Sequence, residues 1–174
     1  IADGVSIIVR SHDVLDKVGA KPLQVTKGEV QFDHVTFAYG NGMPVFTNLN
    51  VTIRSGDRVG LVGFSGSGKT TFTNIILRMY DLNAGRILID GQDVSHTTQN
   101  SLRNQISLIP QDPMLFHGNL RDNLDRFQEK SDAEIFDALR NVHLADFVSD
   151  LPGGLAAQVK DNGYNFSQGQ RQLF

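Results

Sequence analysis

The sequence predicts an α/β fold preceded by an antiparallel β region, and three observations support this prediction. A glycine-rich loop over residues 63–70 lies between a short apolar run and a stretch with helical periodicity. Residues 29–53 largely alternate apolar and polar side chains, which is typical of half-buried strands. Residues 131–142 join a helix-capping sequence to an apolar stripe. A strand, a glycine loop and a helix in succession form the centre of this architecture.

The composition is that of a folded domain. The chain has 174 residues, of which 40% are hydrophobic and 20% charged, so it can bury a sizeable core. The net charge of −3 and the lack of a basic cluster indicate no nucleic-acid partner. The absence of cysteine excludes disulfides and thiolate metal sites, and the histidines have no metal-ligand spacing.

The glycine loop has the sequence of a phosphate-binding loop. Gly63-Phe64-Ser65-Gly66-Ser67-Gly68-Lys69-Thr70 fits the motif G-x-x-x-x-G-K-[ST]. Its glycines let backbone N–H groups turn towards one anion, and the following helix adds the positive end of its dipole. Lys69 can reach the β- and γ-phosphates, and the Thr70 hydroxyl can ligate Mg²⁺. The alternative is a chance glycine-rich turn before a core helix.

Both flanks of the loop favour the phosphate site. Val59-Gly60-Leu61-Val62 predicts a short buried strand in front of it. The helix behind it is predicted from an apolar stripe, formed by Phe72, Ile75, Ile76 and Met79.

The N-terminal residues predict an amphipathic helix that ends at residues 19–22. Its apolar seam consists of Ile1, Val5, Ile8, His12 and Leu15. This helix could pack on an earlier segment or on the same domain. The chain begins without Met or a secretory signal, which indicates a cut inside a longer protein.

Further elements are predicted along the chain. A slip in the alternating pattern near His34 predicts a bulge or two short strands, and residues 49–53 predict a second strand, followed by a turn at residues 55–57. Residues 86–90 and 106–109 predict two more strands. A capping box at Ser131 starts a helix with the stripe Ile135, Ala138, Leu139 and Val142, and residues 151–154 end the helical region. A last helix is predicted from Gly169 onwards.

Several segments resemble the motifs of ABC transporter ATPases. Asn165-Phe166-Ser167-Gln168-Gly169-Gln170-Arg171-Gln172-Leu173 resembles the signature motif, whose usual form is Leu-Ser-Gly-Gly-Gln, with Gln168 where Gly is commonest. Ile109-Pro110-Gln111-Asp112 resembles the Q-loop, and Phe37-Ala38-Tyr39-Gly40 resembles the A-loop. Three stretches resemble the exporter branch, in which membrane and ATPase domains share one polypeptide: Glu29 to Tyr39, Leu102 to Leu124, and Leu151-Pro152-Gly153-Gly154 followed by Asp161-Asn162-Gly163.

The resemblance extends over about residues 28–174 and implies an architecture. It implies a P-loop NTPase core of the ABC ATPase type, with an antiparallel β subdomain and a helical segment that bears the signature. Residues 1–27 would lead from a membrane domain, and residues 28–174 would be the N-terminal part of the ATPase domain. In the family, the Walker B Asp, the catalytic Glu and the switch His follow the signature. The strand after the signature lies beside the P-loop strand, so a chain without it should expose a strand edge, be marginally stable and self-associate.

The resemblance also implies roles in the first half of the chain. Tyr39 would stack on adenine, and Thr71 would give its hydroxyl to the α-phosphate. Lys69 and Gln111 would be the catalytic residues, with Gln111 joining Thr70 on Mg²⁺ and sensing the γ-phosphate. From the residues alone, Tyr39 could instead be a strand aromatic, Gln111 a turn residue and Thr71 an ordinary helix residue.

The remaining roles lie in the signature. Ser167, Gly169 and Gln170 would act in trans, on the nucleotide of a second nucleotide-binding domain in a head-to-tail dimer. Ser167 also fits a helix N-cap, and both interpretations can hold together.

The function implied by the resemblance is ATP binding and hydrolysis coupled to export, at the cytoplasmic face of a membrane. ATP and Mg²⁺ would be bound, and the partners would be the second nucleotide-binding domain and the transmembrane domain of the same polypeptide. The segment alone should be inactive, because the general base lies outside it. The alternatives are a soluble ABC-type ATPase and a nucleotide-binding regulatory module that does not hydrolyse.

Overall fold

The computed structural model describes residues 14–174, which divide into two units. The first unit ends at Ser107, and the second runs from Leu108 to Phe174. The helix predicted over residues 1–15 lies outside the described residues except for its last member, Leu15, which is exposed. Part of the predicted linker packs on the first unit, where Lys21 bridges to Thr97 and Leu23 is buried.

The first unit is built on a four-stranded sheet of order β2-β1-β3-β4. Its strands are β1 (Val30–Ala38), β2 (Pro44–Ile53), β3 (Ala84–Ile89) and β4 (Gln92–Asp93), and every pairing is antiparallel. Its helices are α1 (Lys69–Ile76) and α2 (Gln99–Asn104), with a 3₁₀ turn at Val94–His96. The predicted antiparallel β region is confirmed.

The core of this unit lies between β1 and α1. Phe32, Val35 and Phe37 of β1 are buried, and the ring of Phe72 in α1 stacks on Phe32 with centroids 4.3 Å apart. Ile75 on the same face of α1 is also buried. These residues are the apolar positions that the alternating and helical patterns predict.

The predicted irregularity in β1 is a bulge at His34. Its φ is 54°, and the register of β1 against β2 shifts between Phe32 and Val35. Gly85 on β3 allows this bulge, because a Cβ there would lie 2.3 Å from the His34 carbonyl oxygen. The strand that contains Gly85 starts at Ala84, two residues before the predicted start.

Two predicted strands do not form among residues 14–174. Residues 59–62 and 106–109 pair with no other strand there, and Val62 and Ile109 are 98% and 75% exposed. The prediction of a strand is therefore wrong for both described segments, and so is the predicted burial of residues 59–62. An apolar run forms a strand only when a neighbouring backbone supplies hydrogen bonds, and the described residues supply none at these positions.

The helical prediction after the loop is wrong at Met79, which is exposed. Helix α1 ends at Ile76, and Arg78 has a left-handed φ of 49°. The Met79 N–H donates to the Asn74 carbonyl at 3.0 Å, which is the closing bond of a Schellman motif. The chain therefore leaves the helical conformation before Met79 can join the apolar face of α1.

The second unit is mainly helical. Its elements are β5 (Gly118–Asn119), α3 (Leu120–Leu124), α4 (Asp132–Asn141), α5 (Ala145–Asp150), a 3₁₀ turn (Gly154–Ala156), β6 (Gln158–Val159), a 3₁₀ turn (Asp161–Gly163) and α6 (Gln168–Leu173). Strands β5 and β6 pair antiparallel. Within residues 14–174, every helix is too short or too polar to span a bilayer.

Helix α4 begins as its sequence predicts. The Ser131 N–H donates to Glu134 Oε2 at 2.8 Å, and the Glu134 N–H donates back to Ser131 Oγ at 3.4 Å. Ile135 and Leu139 are buried in the core of the second unit, whereas Ala138 is exposed, so the predicted stripe is narrower than expected.

The Asp90 carboxylate holds the chain segment in front of β1. Its Oδ2 accepts from the N–H groups of Thr26 at 2.7 Å, Lys27 at 2.8 Å and Gly28 at 3.1 Å, and its Oδ1 accepts from Glu29 at 2.9 Å. These backbone donors hold the pKa of Asp90 well below its usual range. Its stabilising contribution is therefore complete above the unfolded-state pKa and is lost as the pH falls below it.

We expect Asp90→Asn to lower the thermal midpoint at pH 7, because an amide cannot offer four acceptor positions. The deficit should shrink below about pH 4, where Asp90 in the unfolded chain becomes protonated. Thermal melts at pH 7 and pH 3.5 test this, with Asp150→Asn as the matched exposed control. A deficit that is constant with pH would contradict the argument.

We expect the isolated 174-residue chain to self-associate through residues 59–62 and 106–109, because exposed apolar segments with unpaired backbone groups recruit other chains. The double variant Val62→Lys, Ile109→Lys should shift the light-scattering mass towards the monomer. Asn104→Lys with Asn141→Lys adds the same charge at exposed polar positions and should change little. A monomeric unsubstituted chain would disprove the prediction.

Candidate nucleotide-binding site

The glycine loop, residues 63–70, leads directly into helix α1. Its Ser67 N–H donates to the Phe64 carbonyl at 3.2 Å, which closes a turn inside the loop. Gly68 is the N-cap of α1 with φ 89°, and a Cβ there would lie 2.8 Å from Val45 Cγ1. Both the backbone angle and the approach to β2 therefore require glycine at position 68.

The ammonium group of Lys69 lies within the loop. Its Nζ donates to the carbonyl oxygens of Gly63 and Phe64, each at 2.7 Å, and to Ser67 Oγ at 3.2 Å. The first turn of α1 contains no acidic residue. A positive charge, hydroxyls and a helix N-terminus thus converge without an opposing carboxylate, and this donor set fits a phosphate.

The two threonines after Lys69 have different environments. Thr70 is exposed, whereas Thr71 is buried and its Oγ1 lies 3.0 Å from the Tyr39 hydroxyl. Tyr39 follows β1 and is 42% exposed. The structure thus brings together two residues that the sequence assigns to opposite ends of a nucleotide.

Tyr39 lies in an aromatic cluster that the sequence did not predict. Its ring makes edge-to-face contacts with Phe37, at 4.9 Å between centroids, and with Tyr80, at 5.1 Å. Tyr80 follows the end of α1 by a few residues, and no motif indicates its approach to Tyr39. Only the folded chain shows this contact.

No group of three or more His, Asp or Glu side chains among residues 14–174 is arranged to hold a metal ion. The exposed Thr70 hydroxyl carries a neutral oxygen that a hard cation can coordinate. This fits Mg²⁺, which keeps several waters and takes further oxygens from phosphates.

The signature residues lie in the second unit at the start of α6. Ser167 is the N-cap: its Oγ accepts from the Gln170 N–H at 3.2 Å, and its N–H donates to Gln170 Oε1 at 2.8 Å. Gly169 has open space at its Cβ position, and Phe166 is buried. The structure therefore brings all three predicted signature residues to one helix terminus.

Gln111 also lies in the second unit and is held by α6. Its carbonyl oxygen accepts from Gln172 Nε2 at 3.0 Å and from Gln168 Nε2 at 3.4 Å. Gln168 Nε2 also donates to Asp112 Oδ1 at 3.4 Å. The sequence does not predict these contacts of Gln168 and Gln172, because no local pattern links residues so far apart.

Comparisons with known proteins agree with this geometry. The family model for ABC transporters matches residues 46–174. An uncharacterized ABC transporter ATP-binding protein of Haemophilus influenzae is 42% identical over 178 residues, which is 99% of this chain and 29% of that protein. A Staphylococcus aureus protein, provisionally described as a multidrug export ATP-binding/permease protein, is 37% identical over 95% of this chain and 29% of its own length.

A solved structure gives the same result. A bacterial Atm1-family ABC exporter with ATP bound matches with a TM-score of 0.89 and 36% identity, over 99% of this chain and 32% of that chain. The predicted family and fold class are thereby confirmed. The chain spans about 29% of the length of the curated relatives that it matches. The chain belongs to the ABC transporter family, and its residues are part of the ATP-binding domain of that family.

Proposed function

We propose that this chain is the ATP-binding part of an ABC exporter, which binds ATP with Mg²⁺ and hydrolyses it to drive export across a membrane. The observation that carries this proposal is the Lys69 ammonium inside the glycine loop, directly in front of α1. The likeness to a Staphylococcus aureus protein described as a multidrug export protein and to a bacterial ABC exporter with ATP bound supports it.

The chemistry requires positioning and charge neutralisation more than covalent catalysis. Lys69 would bind the β- and γ-phosphates, and the Thr71 hydroxyl would bind the α-phosphate. The Thr70 hydroxyl and the Gln111 side chain would hold Mg²⁺. When bound, Mg²⁺ supplies positive charge to the phosphate oxygens. The exposed ring of Tyr39 would take the adenine.

The second unit would contribute residues to the nucleotide site of a partner molecule. Ser167, Gly169 and Gln170 would contact the nucleotide of a second nucleotide-binding domain in a head-to-tail dimer. The capping box of α6 supports this role, because it orders the Ser167 hydroxyl in advance and leaves its proton free to donate.

The general base and the transmembrane domain of the same polypeptide would lie outside residues 1–174. The transmembrane domain would place this chain at the cytoplasmic face of the membrane. The description of the Staphylococcus aureus relative, which names both an ATP-binding and a permease part, supports this arrangement.

We expect Lys69→Ala to weaken ATP·Mg²⁺ binding by about 1.5–3 kcal/mol, because a charge-assisted hydrogen bond is lost. Isothermal titration calorimetry on the full-length protein measures the change. Lys130→Ala removes an exposed lysine from the second unit and is the matched control. Equal affinities of the Lys69→Ala and unsubstituted proteins would disprove the phosphate-loop assignment.

We expect Ser167→Arg in the full-length protein to lower ATP turnover on the order of 10²-fold, because a bulky cation would block the partner's nucleotide and remove one donor. ATP affinity at the glycine loop should stay unchanged. Ser131→Arg removes the other capping box of the same unit and controls for loss of a helix cap. Equal loss of turnover in both variants would assign Ser167 a structural role only.

A further inference from the structure

The Tyr39 side chain is held at three points. Phe37 and Tyr80 contact its ring at interplanar angles of 82° and 89°, and Thr71 Oγ1 lies 3.0 Å from its hydroxyl oxygen. Nevertheless 42% of Tyr39 is exposed, so part of the ring surface is open to a planar ligand. Such fixation lowers the entropy that the side chain would lose when a ligand stacks on it.

The hydrogen bond between Tyr39 and Thr71 links the ring to the residues that directly follow the phosphate loop. Thr71 lies two residues after Lys69, in the first turn of α1, and only 6% of it is exposed. A hydroxyl group carries one donor and two acceptor positions. Thr71 can therefore accept from the Tyr39 hydroxyl and donate its own proton to an acceptor in the loop. Hydrogen bonds in such a chain polarise and strengthen one another.

From this geometry we propose that the Tyr39–Thr71 hydrogen bond couples the base-binding end of the site to its phosphate-binding end. Thr71 is a positioning residue for the Tyr39 ring, and the Tyr39 hydroxyl in turn strengthens the phosphate contact of Thr71. The site thereby favours ligands that carry a planar base and a polyphosphate together. This inference rests on the proposed nucleotide function.

A double-mutant cycle on the full-length protein tests the coupling. Tyr39→Phe keeps the ring and removes its hydroxyl, and Thr71→Val keeps the shape of the side chain and removes its hydroxyl. Each single variant should bind ATP·Mg²⁺ about fivefold more weakly, as loss of one net hydrogen bond implies. The double variant should be clearly less impaired than the product of the two single effects.

Inorganic tripolyphosphate provides the decisive probe, because it has no base to stack. Tyr39→Phe should weaken its binding two- to fivefold, although the ring itself does not bind phosphate. A ring that serves only for stacking would leave this affinity unchanged. Thr71→Ser retains the hydroxyl that Thr71→Val removes, and it should bind tripolyphosphate as tightly as the unsubstituted protein does. Tyr164→Phe, which alters an exposed tyrosine of the second unit, should leave tripolyphosphate binding unchanged.

The possible outcomes separate the two proposals. Suppose that Lys69→Ala weakens the binding of both ATP·Mg²⁺ and tripolyphosphate. If the double-mutant cycle is then additive, or if Tyr39→Phe leaves tripolyphosphate binding unchanged, the proposed coupling is wrong and the proposed nucleotide site stands. If Lys69→Ala affects neither ligand, the proposed function fails and the coupling fails with it. If circular dichroism shows that Thr71→Val does not fold, the coupling is tested by the effect of the single variant Tyr39→Phe on tripolyphosphate binding.

Discussion

The stacked rings of Phe72 and Phe32 join helix α1 to the sheet of the first unit, and the position of the phosphate loop depends on this contact. Both side chains are buried, and each contributes about 1.5–3 kcal/mol to folding by leaving water. Because Phe72 lies three residues after Lys69, the contact also fixes the first turn of the helix. Gly68 completes the constraint, since its missing Cβ lets the loop approach Val45 on the neighbouring strand.

The bulge at His34 connects this core to Tyr39, the residue proposed to bind the base. The extra residue changes which side chains face the core, from Phe32 before the bulge to Val35 and Phe37 after it. Tyr39 continues that second series at the point where β1 has ended, so its ring contacts Phe37 and remains partly exposed. The irregular strand thus provides both a packed core and an accessible aromatic ring.

In the second unit, the hydrogen bonds between Ser167 and Gln170 contribute both to the structure and to the proposed function. The capping box of α6 satisfies backbone donors that a helix start leaves free, and it also fixes the Ser167 hydroxyl. The amides of Gln168 and Gln172 extend this order to the Gln111 carbonyl. The segment that contains Gln111 and helix α6 are therefore held together by side-chain hydrogen bonds.

The sequence by itself determined the features that depend on near neighbours along the chain. These are the glycine loop, the break in the alternating pattern near His34, the capping box at Ser131 and the motifs that identify the family. The tertiary structure alone decided the contacts of Tyr39 with Thr71 and of Gln111 with Gln172, whose partners lie 32 and 61 residues apart. It also decided that residues 59–62 and 106–109 pair with no strand among residues 14–174. A strand depends on a backbone that arrives from elsewhere in the chain, whereas a turn or a helix cap is completed by residues a few positions away.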